Sequence, residues 1–210
     1  MKNSKYYSYL MSLGHFCSDI NQGALSAILP FLIAAYHYDY STAAMLVMAA
    51  NITGSIVQPL FGQLADKKNL PWLIGVGLLL AGGGMAVTGF TNDFSLLCLA
   101  VIVSGIGIAM FHPQAARLVN KASNQNNKGK NTSIFAFGGT LGFTFGPLIA
   151  TSAIVYAGLK GTAVFIAPAV IMFGIILLLN APLKKLGMLR LPKTLTAALT
   201  RMITGLPFTS

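Results

Sequence analysis

Glutamate is absent from this 210-residue chain, and aspartate supplies its only four acids. Charged residues of either sign make up 9% of the sequence, where a soluble domain carries about a quarter. With 55% hydrophobic residues and a mean hydropathy of +0.71, no water-soluble core can absorb the apolar surface, so lipid must solvate most of the chain. Cysteine is scarce: Cys17 and Cys98 both fall inside apolar segments. That placement excludes a disulfide framework or a cysteine metal site and suits small buried hydrophobes. The net charge of +10 forms no basic groove interleaved with aromatics, which argues against nucleic acid as a partner. No cofactor and no metal site are expected.

What is present is a set of apolar runs. A helix needs about 20 such residues to cross the hydrocarbon core. Six segments qualify, at 8–35, 42–64, 71–91, 94–117, 132–157 and 162–181. Alternating ten-residue segments, which a closed barrel would need, are not seen. The fold class is therefore all-α integral membrane, with residues 1–183 forming one six-helix bundle. The N-terminal run has neither a clean signal core nor a small-residue cleavage site and is read as a retained first span. All of the 14 basic residues except Lys160 fall on one side of these spans. The positive-inside rule then makes both termini cytoplasmic in a multi-pass protein of the cell membrane. Residues 184–210 are basic and broken by Pro192 and Pro207. They read as a poorly ordered cytoplasmic tail, with an interfacial segment as the alternative.

Polar residues inside the spans are the functional signal. At 100° per residue, His15, Asp19, Gln22 and Ser26 share one face of the first helix, within about 60° of one another. Asn51, Ser55, Gln58 and Gly62 do the same on the second. Paired stripes imply a shared wet or hydrogen-bonded interior, with Gln22, Ser26, Asn51, Ser55 and Gln58 as its wall. The amides also serve as ordinary interhelical hydrogen-bonding groups. An aspartate near a helix centre costs roughly 2.5–3.5 kcal/mol to insert, so Asp19 is expected to face protein or water as a proton or substrate site, or to be a structural hydrogen-bonding group beside His15.

His112, in SGIGIAMFHPQAARL of the fourth span, lies about 10 Å from mid-membrane by residue count, and His15 about 9 Å on the same side. If the two helices face each other, His15, Asp19 and His112 form one titratable cluster; otherwise His112 is a satisfied core residue. Pro113 is expected to kink its helix locally. In the fifth span Gly138, Gly142 and Gly146 repeat every fourth residue and leave a bare face for close helix approach, followed by Pro147. The segment lacks the strand and the Lys-Ser/Thr end of a nucleotide loop.

Gly62-Gln63-Leu64-Ala65-Asp66-Lys67-Lys68, the loop after the second span, resembles the G-x-L-A-D-R/K signature of the major facilitator superfamily. The later glycine and paired basic residues of that signature are replaced by Asn69-Leu70-Pro71. The resemblance implies a gating role for Gly62, Asp66 and Lys67, carried mainly by Asp66 against a helix N-terminus. Gly142-x-x-x-Gly146-Pro147 resembles the fifth-helix motif of the proton-coupled antiporters, with Ala150 where a further glycine is common. The fourth-helix arginine of many drug antiporters is missing between Val101 and Val103, which leaves Asp19, His15 and His112 as coupling candidates. DINQGALSAILPFL and MFHPQAARLV are similar to the fosmidomycin-resistance branch.

That resemblance implies a proton-coupled drug efflux antiporter, in which substrate binds between two six-helix bundles. This chain supplies one half, expected to be a truncated half-transporter. Its partners would be a small-molecule drug, protons, lipid and a second six-helix bundle, either a C-terminal half or a second copy. A non-transporting membrane fragment or assembly partner is the alternative. An integral-membrane enzyme using the same cluster as metal ligands or as acid and base lacks a reactive partner group.

Overall fold

The computed structural model describes residues 4–67, 70 and 72–178. Six α-helices follow in order: α1 Ser4–Tyr36, α2 Tyr40–Lys67, α3 Trp72–Val87, α4 Phe94–Ala122, α5 Lys128–Ala157 and α6 Ile166–Leu178. A 3-10 segment, Leu159–Phe165, leads into α6. No strand occurs among the described residues. Five stretches are long and apolar enough to cross a bilayer: α1, α2, α4, α5 and the continuous run Leu159–Leu178. The sixth, α3, is an apolar helix of 16 residues, about 24 Å long at 1.5 Å per residue.

Several expected boundaries need correction. Helices α1, α4 and α5 run past their apolar segments, because a helix satisfies its own backbone and need not stop where the side chains turn polar. The long polar separator thus shrinks to residues 123–127, where Asn124 N–H donates to Asn127 Oδ1 at 2.8 Å and Asn131 Nδ2 to Ser123 Oγ at 2.7 Å. The third span ends early, at Val87. There the Thr162 hydroxyl donates to the Ala86 carbonyl (2.8 Å) and accepts from Gly89 N–H (3.1 Å), tying the turn to the 3-10 segment. The sixth span does not begin as an α-helix at residue 162 but as 3-10 turns from Leu159. Gly62–Lys67 are not a loop: α2 continues to Lys67, and no proline stands between Pro59 and Pro71 in the sequence to end it sooner. Helices α4 and α5 are unbroken through Pro113 and Pro147. The tail 184–210 lies outside the described residues.

Aspartates cap the two helices that start beside the 37–39 and 88–93 connections. Asp39 Oδ1 accepts from Thr42 N–H at 2.6 Å, and hydrogen bonds from Thr42 hold its carboxyl below the ordinary carboxylate value. Asp93 Oδ1 accepts from Leu96 N–H at 2.9 Å. Both satisfy amides that a helix start leaves unpaired.

Helix α1 occupies the middle of the bundle. Its tightest partner is α5, through the glycine stripe. A Cβ on Gly142 would lie 2.5 Å from the Phe16 carbonyl oxygen, and one on Gly146 would lie 2.8 Å from Ala24 N. Bare backbone is what lets the two helices touch, as in small-xxx-small contacts generally. The core falls into two apolar clusters. One holds Tyr7, Met11, Phe111 and Met172; the other holds Ile20, Ile28, Leu46, Met85 and Phe165. Helix α2 is the least enclosed, with Ala43, Leu46 and Ala65 its buried residues. Gly142→Ala should therefore lower thermal stability in detergent by about 1–3 kcal/mol through overpacking. Gly54→Ala, where a Cβ meets nothing within 4 Å, should leave stability unchanged or raise it.

Candidate functional site

The α1–α4 crossing brings His15, Asp19 and His112 into one cluster. His112 Nε2 lies 2.9 Å from Asp19 Oδ1, and His15 Nε2 lies 3.2 Å from Asp19 Oδ2. The ring centroids of the two histidines are 4.8 Å apart, edge to face. Their side chains are 12–17% exposed, so the cluster is mostly buried yet touched by open space. One donor atom from each of the three residues lies within 4.8 Å of the others. The two short contacts have hydrogen-bond lengths.

Helix α5 fixes His15 from the other side. His15 Nδ1 lies 2.8 Å from the Phe135 carbonyl, and the imidazole stacks on the Phe135 ring with centroids 4.2 Å apart. A carbonyl only accepts, so Nδ1 carries the hydrogen. Nε2 then faces a carboxylate oxygen at 3.2 Å. If Asp19 were ionised and His15 neutral, two lone pairs would oppose each other there, so a hydrogen bond at this contact would need a proton on one of the two. The His112 contact would need another. Counting from an ionised Asp19 and two neutral imidazoles, hydrogen bonds at both contacts would take one additional proton and give the cluster zero net charge. Residues of α5 facing His15 and Asp19 are Ala136, Gly139, Thr140, Phe143 and Thr144, none of them titratable.

The expected cavity residues share one wall. Gln22, Ser26, Asn51, Ser55 and Gln58 line a single cavity of about 420 Å³ between α1, α2 and α4, and His112 stands on its margin. The cluster thus lies between this cavity and a cleft of about 330 Å³ on the α5 side. Gly138, Gly142 and Gly146 pack on the backbone of α1. Gly62, Asp66 and Lys67 stand apart from both spaces, at the end of α2, with Asp66 and Lys67 exposed.

Three features escaped the sequence reading. Asn21 is completely buried and lines the cavity. Its Nδ2 donates to the Cys17 and Ser18 carbonyls at 2.9 and 3.1 Å, which leaves Oδ1 without a partner. The Phe135 carbonyl is backbone and has no residue signature. Gly139 sits beside the detected stripe: a Cβ there would collide with the His15 ring and come within 2.8 Å of Asp19 Oδ2. Gly139→Ala is expected to destabilise the protein by about 1–3 kcal/mol. In a His15→Ala background that cost should largely vanish, a non-additivity that a double-mutant cycle of melting curves measures.

Residues 11–202 match the sequence profile of the Major Facilitator Superfamily. The chain is 29% identical over 161 residues to the fosmidomycin resistance protein of Escherichia coli (strain K12), covering 77% of this chain and 39% of that protein. It is 28% identical over 171 residues to the uncharacterized MFS-type transporter YfnC of Bacillus subtilis (strain 168), covering 80% and 42%. Against the quinolone resistance protein NorA of Staphylococcus aureus it is 27% identical over 125 residues, covering 60% and 32%. The chain spans about two-fifths of the length of the first two relatives.

Proposed function

Because the chain belongs to the Major Facilitator Superfamily, we propose that it forms the six-span, drug-binding and proton-coupling bundle of an efflux antiporter with both termini cytoplasmic. Members of this family are membrane transporters, not enzymes, and this chain is a multi-pass membrane protein. The observation that carries the proposal is the convergence of His15 and His112 on the Asp19 carboxylate, set between an amide-lined cavity and a second cleft.

The electrostatics favour a proton switch. With its additional proton the cluster is neutral, and moving it through a low-dielectric barrier costs little. Without that proton it carries a net negative charge inside the membrane, which is expensive unless water or a ligand compensates. A carrier built this way reorients cheaply when protonated and exposes the site to cargo when deprotonated. His15 is held at its far nitrogen by Phe135 and therefore acts as a fixed member. His112, on a different helix, is the member whose distance changes when α1 and α4 move. Gln22, Ser26, Asn51, Ser55 and Gln58 offer cargo hydrogen bonds without fixed charge. Gly138, Gly142, Gly146 and Pro147 keep α5 against α1. Asp66, with Gly62 and Lys67, closes the cytoplasmic gate against a helix N-terminus.

Helix α2 buries few of its residues, and its polar stripe borders the cavity. A second six-helix bundle, either a C-terminal half or a second copy, would cover this face and complete the cavity. The cargo is a small antimicrobial, and fosmidomycin is the first to try, given the relative that carries its name.

The test is uptake of fosmidomycin into everted vesicles that contain this chain, alone and with a C-terminal six-helix bundle co-expressed, with and without an imposed pH gradient. Gradient-driven uptake should fall to background in Asp19→Asn while membrane insertion is unchanged. Transport by Asp19→Asn at the wild-type rate would remove the coupling role.

A further inference from the structure

The contact between α1 and α5 has two sides, and the coupling cleft occupies only one. On the α5 wheel, the stripe Gly138, Gly142 and Gly146 points at α1. Gly139 and Phe143 fall to one side of it and line the cleft with His15 and Asp19. At 100° per residue, Lys130, Ile134, Phe137 and Leu141 fall to the opposite side. With Tyr9, Leu13 and Phe16 of α1 they line a separate open groove of about 660 Å³.

This groove is chemically polarised. Its length is apolar, with Leu13, Phe137 and Tyr9 about half exposed. Lys130 stands at one end, in the first turn of α5, and is the one charged residue of the lining. Lys130 forms no ion pair among the described residues. Lys130 also belongs to the basic end of the chain, which the charge distribution puts at the cytoplasmic headgroup level.

An open apolar groove ending in one cation, at the level where the charge distribution puts the headgroups, has the complementarity of a single amphiphile. We propose that this groove is a binding site for one anionic phospholipid of the cytoplasmic leaflet. Its acyl chain runs along Leu13, Phe16, Phe137 and Leu141, and its phosphate is held by Lys130. Basic pockets between transmembrane helices on this side are suited to such headgroups. The occupant would brace the outer side of the same helix pair whose inner side holds Asp19. The inference uses the membrane orientation argued above but neither the drug nor the proton.

The experiment is a thermal-shift titration of the full chain in mild detergent with phosphatidylglycerol, phosphatidylcholine and glycerol 3-phosphate. Phosphatidylglycerol should raise the melting temperature well beyond phosphatidylcholine, and glycerol 3-phosphate should have no effect. Lys130→Ala should abolish most of the difference between the lipids. Lys121→Ala, in the last turn of α4, should preserve it. Leu13→Trp, which fills the groove and keeps the charge, should weaken the response several-fold. Equal shifts from both lipids, a full difference retained in Lys130→Ala, or reproduction of the shift by glycerol 3-phosphate would each overturn the proposal. The readout involves no transport, so its failure leaves the efflux reading standing, and the reverse also holds.

Discussion

A carboxylate inside an apolar helical bundle must be paired, and the arrangement around Asp19 follows from that requirement. A lone ionised group would be neutralised or expelled. Its own helix supplies His15 one turn earlier, and α4 supplies His112 at the same depth. Helix α5 supplies the Phe135 carbonyl that orients His15, and it is admitted to that position by glycines at 138, 139, 142 and 146. Three helices thus converge on one buried carboxylate and its histidines. Breaking a buried pair by removing one partner is costly because the remaining group is left uncompensated. In the proposed mechanism the same cost makes the cluster a switch, since a change of one proton alters how the three helices sit together.

The glycine stripe links this chemistry to packing. It brings α1 and α5 to backbone contact, and that contact separates two environments. The cleft side carries titratable groups and borders the cavity; the groove side is apolar with a basic end. Helix α2, by contrast, lies loosely over α4 and offers its amides to the cavity. The bundle therefore has one tightly packed seam and one helix that buries few of its residues.

Much of this was legible in the sequence because helical periodicity is a strong signal. Counting residues at 100° put His15, Asp19, Gln22 and Ser26 on one face, and depth counting matched His112 to His15. The Gly138, Gly142 and Gly146 repeat signalled a close contact, although not that α1 was the partner. What stayed hidden follows from physics that residue types do not encode. Helix ends drifted because α1, α4 and α5 continue through polar residues, so hydropathy marks the membrane and not the helix. The motif at 62–67 looked like a loop by its glycine and charges, but nothing there forbids helix before Pro71. The Phe135 carbonyl is main chain, and Gly139 matters only once His15 lies beneath it. Asn21 points off the polar stripe and is recognisable only when burial is known.

The proposed coupling requires one additional proton in the closed cluster, placed so that His15 is protonated at both ring nitrogens against an ionised Asp19. The direct measurement is ¹⁵N NMR of histidine-labelled protein in lipid, with His15 assigned by comparison with His15→Gln. Two protonated nitrogens on His15 at neutral pH, reverting to a single neutral tautomer in Asp19→Asn, is the predicted result. A neutral His15 with a bare Nε2 in the wild-type protein would contradict it.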